Sequence, residues 1–253
     1  MSERPVDPYR EITEFYDEEF ANADADVRTF YADLAGCTRV LVVGCGSGRV
    51  SEGLRAAGRQ VVGVDISAPM IERATARPGA SARYVVGDMC RLSAADLGTF
   101  DAVVVPNAAF SFLPTRREQL QCLAGLRSLA QGALWIDVPM PDFRMLGGAH
   151  TPEGLAWSGR ARRGGFVTRT REVFRFPVGQ RLLLRDRYYL TAEPGVGWVG
   201  PPHCVSELPL RLIFPAEIEW MLEAGGFYAD RLLGDHSGGP VHEGCDRLLV
   251  RAL

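Results

Sequence analysis

Glycines at positions 44, 46 and 48 follow the run Arg39-Val40-Leu41-Val42-Val43, and a second run, Val61-Val62-Gly63-Val64, ends on Asp65. Short, mainly valine runs read as strands buried on both faces. Glycine lets the chain turn sharply and lets a ligand approach with no Cβ in the way. A helix that starts there points its free N–H groups at that ligand. A carboxylate at the tip of the next strand, roughly 20 residues on, is placed to accept hydrogen bonds from ribose hydroxyls. Together these residues predict a site for a nucleoside-containing cofactor.

The glycine spacing narrows the choice. Dinucleotide folds carry G-x-G-x-x-G, whereas Gly44-Cys45-Gly46-Ser47-Gly48 brings the third glycine one residue early. With Asp65, Gly87-Asp88-Met89 and the run Phe100-Asp101-Ala102-Val103-Val104-Val105, the chain resembles the class I S-adenosylmethionine-dependent methyltransferases over roughly residues 35–140 and 209–253. The resemblance implies S-adenosylmethionine as cofactor and S-adenosylhomocysteine as product. It implies that Gly44, Cys45, Gly46 and Gly48 pass under the methionine end and the ribose. Asp65 would take the ribose hydroxyls and Asp88 the adenine amino group. The backbone of Met89 would meet the ring edge, and Ile66 and Met89 would sandwich the adenine. Plain structural roles stand beside these: a turn or helix cap for Asp65 and Asp88, and core packing for Met89. One departure is Val42, where many relatives have an acid two residues before the first glycine; backbone carbonyls of the loop would then hold the amino end.

Methyl transfer is an in-line displacement that needs positioning and water exclusion before it needs any covalent help. A base is required only if the acceptor keeps its proton. Three residues are the catalytic candidates. Asn107, after the fourth strand, can orient an acceptor or merely cap a turn. Tyr16, in Phe15-Tyr16-Asp17, resembles the aromatic that related enzymes place near the sulfonium, or is a half-buried helix residue. His203 is favoured over His150, His236 and His242 because Pro201-Pro202-His203-Cys204 returns the chain toward the sheet. Phe110 and Tyr189 are the candidates for the substrate wall, with core packing the alternative for Phe110.

The elements that must hold these residues alternate strand and helix from 39 to about 138. Helices are predicted over Arg49–Ala57, over Ala68–Arg77 behind an Ser67 cap, and after the capping box Thr115-Arg116-Arg117-Glu118 with Leu120, Leu123, Leu126 and Leu129 inward. A further helix starts at Pro215, and strands follow at Arg231–Leu233 and Arg247–Val250. The predicted class is α/β: a Rossmann-like, doubly wound, mostly parallel seven-stranded sheet with an antiparallel last strand. Residues 35–139 and 209–253 form this core. Residues 1–34 form an N-terminal helical cap around Tyr9–Phe20, and residues 140–208 an inserted antiparallel β lid with a hairpin about Pro177-Val178-Gly179-Gln180.

The 253 residues carry a net charge of −3 and so no basic face for nucleic acid or anionic membrane. All 28 basic residues are arginine, a codon signature of GC-rich genomes. The six cysteines include no C-x-x-C pair, which argues against a bound metal. No apolar leader or 18-residue apolar run is present. The reading is a cytoplasmic enzyme, monomeric or homodimeric, that methylates an amine nitrogen of a small secondary metabolite, as in antibiotic biosynthesis. The rivals are O- or C-methylation of a phenol or an indole-type carbon, an NAD-dependent oxidoreductase, and a non-catalytic nucleoside-binding protein.

Overall fold

A computed structural model describes residues 7, 9–20, 34, 36–77, 79–141, 150–161, 164–194 and 200–253. After a single 3-10 turn comes helix α1 (Thr13–Phe20). The core then alternates β1 (Arg39–Val43), α2 (Arg49–Ala56), β2 (Gln60–Asp65), α3 (Ala68–Thr75), β3 (Arg83–Val86), α4 (Ala94–Leu97), β4 (Phe100–Val105), α5 (Arg116–Leu129) and β5 (Ala130–Pro139). Four strands interrupt it: β6 (His150–Arg160), β7 (Phe166–Phe176), β8 (Arg181–Thr191) and β9 (Cys204–Arg211). Helix α6 (Pro215–Ala224), β10 (Ala229–Leu233) and β11 (Arg247–Ala252) complete the chain.

The main sheet has seven strands in the order β10-β11-β5-β4-β1-β2-β3. β11 runs antiparallel to both neighbours, and the remaining pairings are parallel. Side-chain alternation along each strand fills two cores. Leu41, Val43, Val103 and Val105 face α5 and α6, against Leu123, Leu126 and Leu222. Val40, Val42, Ala102 and Val104 face the other way, toward Leu54 of α2 and Ile71 of α3. Covering both faces is what required continuous apolar strands.

Local signals act as predicted at several helix starts. The Ser67 hydroxyl accepts from Met70 N–H at 3.4 Å, and Thr115 and Glu118 cap each other. Along α5 the buried side is shifted: Gln119 and Cys122 are enclosed, and Leu120 is only half-buried. The Gln119 amide is satisfied by the Leu113 carbonyl at 3.1 Å.

The second sheet is antiparallel, in the order β6-β7-β8-β9. The hairpin about Pro177–Gln180 is its centre. Its last strand runs on to Arg211, past the boundary at 208 that the sequence predicted. Among the described residues no helix is long and apolar enough to cross a membrane.

Candidate functional site

The strand order reverses between β1 and β4, where open α/β sheets bind ligands at the C-terminal strand ends. Gly44 and Gly46 adopt φ of 70° and 53° there, a region open to glycine at little cost. The N–H of Gly46 donates to Asp65 Oδ2 at 2.7 Å, and that of Ser67 to Oδ1 at 2.9 Å. Burial pushes the Asp65 carboxyl up, against the pull of these amides. Each oxygen keeps a second lone pair for a ligand hydroxyl. A Cβ on Gly44 would strike that of Ala109, while one on Gly46 would lie 3.7 Å from the Tyr16 ring.

A cavity of about 420 Å³ opens here, lined by Gly44, Gly46, Asp65, Ile66, Asp88, Met89, Asn107 and Tyr16. The sequence also placed Cys45 and Gly48 in this loop. Cys45 points into the core, its thiol pushed well up by burial. Gly48 (φ 84°) starts α2 and packs on the Tyr84 hydroxyl. Neither lines the cavity. Asp88 caps the turn Met89–Arg91 through Cys90 N–H at 2.9 Å, so the capping alternative holds alongside its place in the wall.

Helix α1 closes one side. Tyr9 and Tyr16 meet edge to face at 5.5 Å, and Tyr9 meets Phe112 at 5.6 Å. Tyr16 is nearly enclosed, and burial first of all pushes its phenol up to about 12. Asp17 fixes the helix. It accepts from Ser47 Oγ, from Arg73 Nε at 2.7 Å and from Arg77 Nη2 at 2.8 Å.

Three residues that the sequence singled out stand elsewhere. Phe110 is fully buried in the core, and Phe112 takes the cavity wall instead. Asn107 and Ala108, at φ 52° and 62°, turn the chain just before, so that Ala109 lines the cavity and Phe110 packs into the core. Tyr189 directs its hydroxyl to Glu153 at 3.2 Å on the second sheet. His203 lies outside the cavity lining, with Nε2 3.1 Å from Glu14 and its ring against Phe15. Sequence reasoning missed Tyr9 and Phe112; their position in an aromatic-rich stretch was the only signal.

A doubly wound sheet with a glycine turn, a strand-tip carboxylate and a capped cavity at its switch point defines a nucleoside-cofactor enzyme class. Within it one match is specific: residues 40–131 match the family model described as a methyltransferase domain. A Bacillus subtilis protein named "Putative methyltransferase YqeM" is 29% identical over 136 residues, 51% of this chain and 55% of that one, so the match spans about half the length of this curated relative. Among solved structures, the CcbJ methyltransferase of Streptomyces caelestis superposes with a TM-score of 0.75 at 21% identity, over 91% of this chain and 95% of that one. CalS10, an amino pentose methyltransferase of Micromonospora echinaspora involved in calicheamicin biosynthesis and solved with S-adenosylmethionine bound, gives 0.64 at 24% identity, over 91% and 88%. At these identities the likeness is one of fold.

Proposed function

We propose that the protein transfers a methyl group from S-adenosylmethionine to an amine nitrogen of a small secondary metabolite. The observation that carries this reading is the single cavity shared by the glycine turn, Asp65, Asp88, Tyr16 and Asn107. The donor, when bound, supplies an electrophilic methyl on a sulfonium. The chain's own residues do the rest. The bare Cα of Gly46 leaves room for the donor, and Asp65 grips the sugar through its spare lone pairs. Ile66, Asp88 and Met89 hold the base. Asn107 orients the acceptor, and Tyr16 covers the reacting end and excludes water.

The chemistry of the lining supports nitrogen over oxygen. Among the described residues that line the cavity there is no histidine. The carboxylates there are engaged: Asp65 with Gly46 and Ser67, Asp88 with Cys90, Glu118 with Thr115. A hydroxyl acceptor needs a base in place, whereas an amine can arrive already deprotonated. The cavity lies in the roughly 300–1,000 Å³ range of small-molecule sites. The amino pentose named for CalS10 is a small molecule that carries an amine. Residues 140–208, which carry most of the second sheet's strands, and residues 1–34 serve as lid and cap.

The test is methyl transfer from labelled donor to a panel of amino sugars, amino acids, aryl amines, phenols and indoles. N-methylated products are expected. Products methylated only on oxygen or carbon overturn the acceptor assignment, and absence of heat with either donor or S-adenosylhomocysteine in calorimetry overturns the whole reading.

A further inference from the structure

Asp137, near the end of β5, is fully buried and surrounded by donors. Its oxygens accept from Arg247 Nη1 at 2.9 and 2.8 Å, from His236 Nε2 at 3.3 Å and from the backbone N–H of Asn107 at 3.1 Å. Its own carbonyl accepts from Ala108 N–H at 3.0 Å. Both residues that it holds are left-handed, at φ 52° and 62°. That region is disfavoured for any side chain with a Cβ, and alanine lacks the local hydrogen bonds that make asparagine tolerable there. Two such residues in a row persist only where the surroundings over-determine them. The next residue, Ala109, packs its methyl against Gly44, at the place where a Cβ would not fit. The conformation of this turn is therefore passed directly to the glycine loop.

The carboxyl is ionised. Burial raises it, but the His236 hydrogen bond, the Arg247 charge and the Asn107 amide outweigh that and hold it below the ordinary carboxylate range. Neither side-chain partner belongs to the parallel core: His236 follows β10 and Arg247 opens β11.

We propose that Asp137 is a positioning residue, which sets the Asn107–Ala108 turn against the glycine loop and makes the C-terminal strand pair a working part of the site. This rests on the reading that the Asn107 wall faces donor and acceptor. Asp137→Asn keeps the shape and removes the charge. It is expected to lower S-adenosylhomocysteine affinity about tenfold by calorimetry. Amide exchange over residues 106–110 is expected to quicken while exchange over 116–129 is unchanged. Adding Ala108→Gly, which relieves left-handed strain, is expected to recover about fivefold in affinity and part of the protection. If Asp137→Asn fails to fold, Arg247→Gln reads the same exchange signature with the carboxylate in place. Unchanged affinity and exchange in these variants, or a loss that Ala108→Gly does not recover, overturns the proposal. If the unaltered protein gives no heat with S-adenosylhomocysteine, the donor reading falls, and exchange alone decides the role of Asp137.

Discussion

Arg73 Nε and Asp17 Oδ2 lie 2.7 Å apart, which joins α1 to α3. Because Asp17 also takes the Ser47 hydroxyl, the same carboxylate ties α1 to the glycine loop. Asp17→Ala is expected to weaken S-adenosylhomocysteine binding several-fold while leaving the melting of the core sheet in place. Calorimetry and thermal unfolding separate the two effects; an unchanged affinity would show that α1 needs no such tether.

The same clamp has a pH signature. Burial raises the Asp17 carboxyl, but Ser47, Arg73 and Arg77 bring it below its ordinary value of 3.8. A lowered value means that the clamp contributes fully above that ordinary value and is lost as pH falls through the lowered one. Exchange of the α1 amides is expected to rise as the solution is acidified below 3.8. In Asp17→Asn this rise is expected to be blunted, because the titrating group is gone.

Gly46→Val is expected to abolish donor binding and to retain the fold. A branched side chain at φ 53° is strained, and its Cβ points at the Tyr16 ring across the space the donor needs. Circular dichroism checks the fold and calorimetry the binding. A variant that binds normally contradicts the placement of the loop.

Asp65→Ala is expected to cost on the order of 2 kcal/mol of donor affinity, the loss of charge-assisted hydrogen bonds to the ribose. It also frees the Gly46 and Ser67 amides, so some loss of stability accompanies it. Equal affinity in calorimetry removes Asp65 from the site and leaves it as a loop brace.

Tyr16→Phe tests the hydroxyl. With the phenol at about 12, Tyr16 stays protonated through the neutral range and puts no inflection in the rate profile there. Turnover on the best amine of the panel is expected to fall more than S-adenosylhomocysteine affinity. Identical kinetics make Tyr16 a wall and nothing more.

The parallel core was legible because its strands advertise themselves twice, as apolar runs and as the partners of capped helices. The glycine turn and Asp65 were legible for the same reason: only a few residue types satisfy such a bend and such a strand tip. The second sheet was only half legible. Its central hairpin shows in the alternation around Pro177–Gln180, but the β6 run His150–Arg160 is interrupted by Pro152, Gly154 and Gly159, and it carries bulges in its pairing. The cavity wall after β4 was only partly legible: Asn107 lines it, and Phe110 takes its core-packing alternative. The left-handed turn at Asn107–Ala108 is held by Asp137 of the neighbouring strand β5, 30 residues further along the chain, and no local pattern announces it. Phe110 packs in the core, and Phe112 lines the cavity. Tyr188 and Tyr189 point to opposite faces as strand alternation requires, yet neither reaches the cavity: Tyr188 stacks on Phe15 and Tyr189 bonds to Glu153.

Helix α1 is fastened on two sides. Asp17 holds it to the core, while Glu19 meets Arg169 of β7 at 2.8 Å and Phe15 stacks on Tyr188 of β8. A latch shared by both sheets cannot lift from one without dragging on the other. On the proposed function, entry of the donor and departure of its product would have to shift this one short helix against both sheets.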